Sequence, residues 1–475
     1  MNDPSDTRVG VDVGGTFTDL VTVEGGRISV HKTPSTPDAP ERGVFDALDD
    51  VDADASFFGH GTTVATNAVL EGTWADTTLV TTEGFRDVLE IARQDRPDLY
   101  DATTAKPDPV VPRHRRIEVD ERVDHRGDVR RPLTDEEVER VVDAVGDDVV
   151  GVAVCLLFAF ENPAHEKRLA EAFEAAGYEV STSHEVLPEI REYERTATTA
   201  LNAALSPVMR TYLDAVGEGV EARGLPTARI MASNGGLVAA DAAADRPVET
   251  LLSGPAAGVR GAAYVGSAAG LDDIVTMDMG GTSCDVSLVR GGDPAVTTEA
   301  TVGDHPASVP MVDVHTVGAG GGSVAWVDDG GALRVGPRSA GAQPGPVCYG
   351  RGGEKPTVTD AHAVLGRIDP GEFVDDPADE RRVRTAVESE IADPLGMSVP
   401  EAAQGILDVA DANMNAHSAS SPSNAATTRG SSASSPTAAR DRFTPPASAN
   451  AWGSSASWSR VRRECCPRLD SSVAT

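Results

Sequence analysis

Apolar and polar positions along residues 8 to 23, RVGVDVGGTFTDLVTV, form a β-branched run that breaks at Gly14-Gly15 and resumes at Leu20-Val21-Thr22-Val23. The pattern predicts a strand, a tight glycine turn and a second strand. Residues 273 to 289, DIVTMDMGGTSCDVSLV, repeat it, with Asp, Gly-Gly, Thr and Asp at matching offsets. This internal repeat is the most informative pattern in the chain. Between the copies, residues 134 to 145 (TDEEVERVVDAV) predict an acid-capped amphipathic helix, and Val149 to Phe158 a buried strand. Further helices are expected over 161 to 177 and 191 to 223, then a strand at Arg229 to Ala232 and a turn at Ser233-Asn234-Gly235-Gly236. Strands and helices alternate throughout, so the fold class is α/β. Residues 93 to 132, rich in Pro, Asp and Arg, predict an excursion over the surface, and the helical periodicity stops after Ala416.

Composition narrows the partners. The 475 residues carry a net charge of -34 spread along the chain. Such a surface repels nucleic acid and anionic membrane and suits a high-salt cytoplasm. No run of about 18 apolar residues exists, and the start MNDPSDTR lacks a signal-peptide pattern, so a cytoplasmic protein is expected. The five cysteines show no C-x-x-C spacing, which points to free thiols.

The chemistry lies in the glycine turns. A Gly-Gly pair between strands lets backbone N–H groups approach an anion with no Cβ in the way, and neighbouring Thr hydroxyls add donors. Phosphate is the natural guest. A carboxylate before each turn, Asp12 or Asp278, can hold magnesium through water; one after it, Asp19 or Asp285, can fix the loop or orient a nucleophile. Two such hairpins, one per half of a duplicated fold, can clamp the phosphates of ATP. There is no P-loop run G-x-x-x-x-G-K-S/T, no G-x-S-x-G elbow and no H-E-x-x-H helix, so P-loop, serine-hydrolase and zincin chemistries lose support.

Longer phrases add a resemblance. RVGVDVGGTFTDLV, GHGTTVATNAVLEG, SNGGL, LLSGPAAGV, TMDMGGTSCDVSLV, VDVHTVGAGGGSVAWVD and PTVTDAHAVLGRI occur in order between about residue 7 and residue 414. Together they resemble the hydantoinase A, 5-oxoprolinase and acetone carboxylase β-subunit family. The resemblance implies the duplicated ribonuclease-H-like architecture shared by actin, sugar kinases and Hsp70. It also implies ATP- and Mg2+-dependent opening of a cyclic amide (hydantoin, N-methylhydantoin or 5-oxoproline) by phosphorylation of its carbonyl oxygen. A separate B-type subunit, and so a hetero-oligomer, is expected. An acetone carboxylase-like subunit that activates bicarbonate or an enol is the alternative, and an inactive relative is a third.

On this reading Asp12, Gly14, Gly15, Thr16 and Thr18 form the first phosphate loop, and Asp278, Gly280, Gly281, Thr282 and Ser283 the second. Gly318, Gly320 and Gly321 lie by the nucleotide or at a hinge. Thr62, Thr63 and Asn67 face substrate or cap a helix. Asp313, His315 and His362, with His60 as a further candidate, are possible ligands of a second divalent metal, while Cys284 reads as packing. The chain divides accordingly into 1–190, 191–416 and a tail at 417–475.

That tail departs from the rest. It holds 15 Ser and seven Arg against three acidic residues, together with two of the four Trp and two of the five Cys. Shifted by one base, with G- and C-rich codons, Pro422 to Arg429 with its flank recodes as VERGYDPR, Ser434 to Pro445 as VAYGGAGPLHA, and Ser457 to Asp470 as LVPRAAGVLSALG. A change of reading frame near Asn415 to His417 accounts for all three, and it predicts weakened ATP binding because a glycine-rich adenosine turn is lost.

Overall fold

The computed structural model describes residues 7–14, 17–36, 39–49, 51, 55–94, 100–101, 103–341, 343–372, 374 and 377–420. The recoded stretches within 421–475 lie outside the described residues, as do Gly15 and Thr16. The chain forms two compact units, Met1–Arg260 with Val296–Val312, and Gly261–Ala295 with Asp313–Thr475.

The first unit is built on two sheets. One contains β1 (Thr7–Val13), β2 (Phe17–Glu24), β3 (Arg27–Pro34) and β4 (Ala55–Thr62). The other contains β5 (Thr77–Thr82), β6 (Arg116–Val119), β9 (Gly151–Cys155) and β10 (Glu179–Thr182), with a small ribbon of β7 (Arg122–Val123) and β8 (Val129–Arg131) beside it in sequence. β11 (Arg229–Met231) and β12 (Leu237–Ala239) complete the first sheet in the order β12-β11-β4-β1-β2-β3. There β1 pairs antiparallel with β2 and parallel with β4. The second sheet, β10-β9-β5-β6, is parallel throughout, and β5 and β9 are wholly buried runs, as a sheet covered on both faces requires.

The predicted helix at Thr134 forms as Asp135–Asp143. The Thr134 side chain accepts from Glu137 N, and Asp135, Glu136 and Glu137 sit in the first turn, where carboxylates favour the helix dipole. The 31-residue helix Glu192–Ala222 lies in the first unit's core, packed on β5, β9 and β10. Several of its buried polar groups find partners: Asn202 Nδ2 donates to Ser181 Oγ and to the Asp245 carbonyl, and Ser206 and Thr199 donate to carbonyls one turn back. The compact units part at Arg260, and the helix after residue 190 supplies much of the first unit's core.

The expected excursion over 93–132 holds only in part. Arg116–Val119 is a strand of the parallel sheet, and buried Arg116 is accommodated by the Val111 and Arg86 carbonyls and by Glu90. Burial pushes this guanidinium's pKa down from its usual value. In the second unit, β13 (Ile274–Met279) and β14 (Cys284–Arg290) pair antiparallel, and β14 also pairs with Val314–Val317. A separate core gathers the helices Val358–Val364, Glu380–Val387 and Val399–Ser420 over the ribbon Ser323–Val327 with Leu333–Ser339. The last helix runs past Ala416. Among the described residues, no helix is long and apolar enough to cross a membrane.

Candidate functional site

The two glycine hairpins share one register. In the first, Asp12 stands opposite Asp19 and Val13 opposite Thr18; in the second, Asp278 stands opposite Asp285 and Met279 opposite Cys284. The repeat in sequence is therefore a repeat in geometry, with an aspartate pair at the same step from each turn.

In the first unit the turn is tied down from behind. Ser35 Oγ donates to the Gly14 carbonyl at 2.7 Å and shares a 3.1 Å bond with Thr18 Oγ1. Thr18 is completely buried, so it anchors the turn instead of facing a ligand, a correction to its expected place on the phosphate loop. Asp12 occupies a space cleared by two glycines. A Cβ at Gly61 on β4 would lie 2.5 Å from Asp12 Oδ1, and one at Gly254 would lie 3.9 Å from both oxygens. Gly254 belongs to the first turn of the helix Ser253–Ala268, so the carboxylate lies beside a helix N-terminus. Two bonds hold that helix start: Leu252 N donates to Thr66 Oγ1 at 3.0 Å, and Ser253 Oγ donates to the Thr62 carbonyl at 2.9 Å. Leu252 adopts φ 55, an uncommon left-handed conformation for a branched residue. Asp19 is paired at 2.8 Å with Lys32, which stands opposite it on β3.

The residues expected to face substrate divide. Thr62 is buried: its hydroxyl accepts from Val64 N and bonds Tyr212. It therefore belongs to an internal chain and not to a binding surface. Thr63 Oγ1 donates to the Val13 carbonyl at 3.1 Å and accepts from Asn67 Nδ2 at 3.3 Å, and both residues are half-buried beside the first turn. His60 is structural too. Its Nδ1–H donates to the Val11 carbonyl at 3.2 Å and its Nε2 accepts from the Tyr212 hydroxyl at 2.8 Å. Burial pushes its pKa down to about 4, so it is neutral and buried among protein groups.

In the second unit the turn rests on the glycine run 318–322. Gly280 N donates to the Ser283 carbonyl, while Gly321 N and Gly322 N donate to the Gly280 and Gly281 carbonyls at 3.0 and 2.6 Å. A Cβ at Gly320 would lie 2.7 Å from the Thr282 carbonyl carbon, so only glycine permits this approach. The amides of Gly321 and Gly322 are thus committed to the turn, so the run buttresses it and these two donors are not free for a ligand. The outer side is open. Gly280, Gly281 and Thr282 are exposed, and a Cβ at Gly281 would meet nothing within 4 Å. Desolvation and the facing Asp285 charge hold Asp278 above the usual carboxylate range, while Asp285 accepts from Thr316 Oγ1 at 2.7 Å. Cys284 is fully buried and its thiol is pushed up to about 12, as expected for packing.

The expected second-metal ligands do not converge. Asp313 lies between two short strands, its carbonyl accepting from Ser287 Oγ, and His315 stands opposite Val286 on the neighbouring strand. His362 is buried in the helix Val358–Val364. Asp360 closes that helix's capping box with Thr357 and also accepts from Val347 N and Cys348 N, which commits its oxygens to backbone donors. Among the described residues, no group of three or more His, Cys, Asp or Glu could hold a metal ion.

Sequence reasoning assigned no role to Gly61, Ser253 or Gly254. All three stood in quoted phrases, yet the close approach to Asp12 exists only after β4 and the helix start are brought to β1.

Comparison with known proteins gives a consistent result. Residues 8–177 match the family model described as Hydantoinase/oxoprolinase N-terminal region, and residues 195–420 match Hydantoinase/oxoprolinase. An uncharacterized protein of Methanocaldococcus jannaschii is 39% identical over 86% of this chain and 63% of its own length. The caprolactamase subunit alpha of Pseudomonas jessenii is 40% identical over 86% of this chain and 61% of its own. The crystal structure of the ATP-dependent caprolactamase from that organism superposes with a TM-score of 0.76 at 38% identity, covering 87% of this chain and 62% of the other. A nucleotide-free acetone carboxylase structure gives 0.69 at 30% identity with the same coverages. The chain spans about six-tenths of the length of these relatives.

Proposed function

The chain belongs to the hydantoinase/oxoprolinase family, and from that premise we propose that it is an ATP-dependent hydrolase subunit that opens a cyclic amide. The observation that carries this reading is the pair of hairpins in one register, each with an aspartate before an exposed or anchored glycine turn. Paired phosphate hairpins of this kind favour the duplicated ribonuclease-H-like ATPase architecture. A lactam or imide resists water because its resonance must be broken and its nitrogen leaves poorly. ATP supplies the phosphoryl group that converts the carbonyl into an imidate open to attack by water.

The residues of the chain divide the remaining tasks. The turns at Gly14–Thr16 and Gly280–Ser283 take phosphate oxygens, and Asp12 and Asp278 hold Mg2+ through water. Asp19 and Asp285, fixed by Lys32 and Thr316, keep the turns in place. Thr63 and Asn67 are placed to orient the ring, being polar, half-buried and tied to the strand that carries Asp12. Several relatives are named as subunits, among them caprolactamase subunit alpha. This chain accordingly works with a B-type partner, in the cytoplasm, on a ring such as a lactam, 5-oxoproline or a hydantoin. The test is phosphate release by the chain with its partner, offered caprolactam, 5-oxoproline or hydantoin in parallel with acetone plus bicarbonate. Ring-dependent release is expected, and release only with acetone and bicarbonate would make it a carboxylase subunit.

A further inference from the structure

Strand β4 reaches Asp12 from both faces of the sheet. Gly61 stands opposite Asp12 and clears space for its carboxylate on one face, while His60 stands opposite Val11 on the other, the face on which Val9, Val11 and Val13 are buried. Three side chains donate to the backbone that leads into the first turn: His60 Nδ1–H to the Val11 carbonyl, Thr63 Oγ1 to the Val13 carbonyl and Ser35 Oγ to the Gly14 carbonyl. The two hydroxyls always carry a proton to give. A neutral imidazole carries one proton for two nitrogens, so His60 donates here in one tautomer only. The Val11 carbonyl can only accept, which puts the proton on Nδ1 and obliges Nε2 to find a donor. Tyr212, 5% exposed on the helix Glu192–Ala222, is that donor, its hydroxyl lying 2.8 Å from Nε2. Burial pushes the phenol's pKa up, so the hydroxyl keeps its proton. His60 itself is 1% exposed, which leaves protein groups to decide the tautomer.

We propose that Tyr212 is a positioning residue for Asp12, holding His60 in the tautomer whose Nδ1–H pins the peptide between Val11 and Asp12. The Val11 carbonyl and the Asp12 N–H belong to that one planar unit, so fixing the carbonyl fixes the direction in which the Asp12 Cα leaves it. In the other tautomer the Nδ1 lone pair would face the carbonyl oxygen at 3.2 Å, and an attraction would become a repulsion. The carboxylate has little room to absorb such a change. A Cβ at Gly61 would already lie 2.5 Å from Oδ1, so a small turn of this peptide alters where the oxygens stand. Partners one step behind a metal-binding group are worth about 10- to 100-fold in affinity or activity, and Tyr212, acting through His60, belongs at the low end of that range. The inference rests on the reading of Asp12 as a holder of Mg2+, and not on which ring is opened.

Tyr212→Phe keeps the ring and removes the proton donor. Nitrogen NMR of the imidazoles, recorded on the full chain alone, should show His60 protonated at Nδ1 in the unmodified protein and at Nε2, or at both nitrogens in exchange, in Tyr212→Phe; the Asp12 amide resonance should shift with it. His60→Asn identifies the signals by removing them. With the B-type subunit proposed as its partner, Tyr212→Phe should lose about tenfold in magnesium-dependent turnover at saturating ring, with KM for the ring held within about twofold. His60→Asn places a side-chain N–H where Nδ1–H stood, with no tautomer to set. Adding Tyr212→Phe to it should therefore lower turnover no further. An unchanged His60 tautomer in Tyr212→Phe, turnover equal to that of the unmodified chain, or the same fractional loss in both backgrounds would overturn the proposal. If the unmodified pair releases no phosphate with any ring, the ring-opening reading fails, and the tautomer and the Asp12 amide shift decide the role of Tyr212 by themselves.

Discussion

Gly61→Ala tests the placement of Asp12. The added methyl would sit 2.5 Å from Asp12 Oδ1, about 1 Å short of ordinary contact, whereas a Cβ at Gly254 would lie 3.9 Å from both Asp12 oxygens. Asp12 is on a strand paired on both edges, so its Cα cannot retreat, and the carboxylate must rotate out of the space between the glycines. Overpacking of this size costs about 1 to 3 kcal/mol. A displacement of about 1 Å in a metal- or phosphate-positioning group costs roughly 100-fold in turnover. Gly10→Ala on β1 is the control, because its Cβ would meet only the Val21 carbonyl oxygen, at 3.9 Å. The assay is ring-dependent phosphate release by the chain together with the B-type subunit proposed as its partner, alongside thermal midpoints. Gly61→Ala is expected to lose turnover about 100-fold more than Gly10→Ala, beyond what its midpoint explains. If the two variants turn over alike, Asp12 is not held for chemistry and the reading of the first hairpin is wrong.

Three further outcomes are expected. His60 has a folded-state pKa of about 4 against 6.5 in the unfolded chain, so its contribution is present above about pH 6.5 and is lost as pH falls towards 4, a change of about 3 kcal/mol. His60→Gln should flatten denaturation midpoints measured across that window, and an unchanged slope would refute the assignment. Asp278 has a raised folded-state pKa, so its charged form opposes folding increasingly as pH rises through that value. Asp278→Asn should therefore raise the thermal midpoint at neutral pH while lowering magnesium-dependent turnover; a lowered midpoint would count against the repulsion from Asp285. Glu166 accepts from Leu156 N, Ser183 Oγ, His184 N and His184 Nδ1 while fully buried, so Glu166→Ala should cost about 3 to 5 kcal/mol in urea denaturation. A loss below about 1 kcal/mol would show that water replaces the carboxylate.

The features legible in the sequence were those with local causes. The hairpins were readable because glycine pairs and flanking aspartates lie within a few residues of one another, and the helix at Thr134 because its cap and acidic first turn are adjacent. The capping box at Thr357 and Asp360 was equally local, yet His362 beside it suggested a metal. What escaped depended on partners distant in the chain. Arg116 looked like surface charge until the Val111 and Arg86 carbonyls received it in the parallel sheet. Thr62 and His60 looked like site residues until Tyr212, from the long helix, joined them in a buried hydrogen-bonded chain. The role of Gly61 is visible only as a distance to another strand's carboxylate.

The buttress under the second hairpin also has a mechanical meaning. From the Gly280 carbonyl the path runs to Gly321 N, and from the Gly321 carbonyl to Thr359 N and Oγ1, in the first turn of the helix Val358–Val364. Up to that helix, each link is peptide backbone, and the glycines between them carry no rotamer that can give way. The turn and the helix start are therefore joined through Gly321, whose N–H donates to the turn and whose carbonyl accepts from the helix, so a change in that one peptide position would be felt at both.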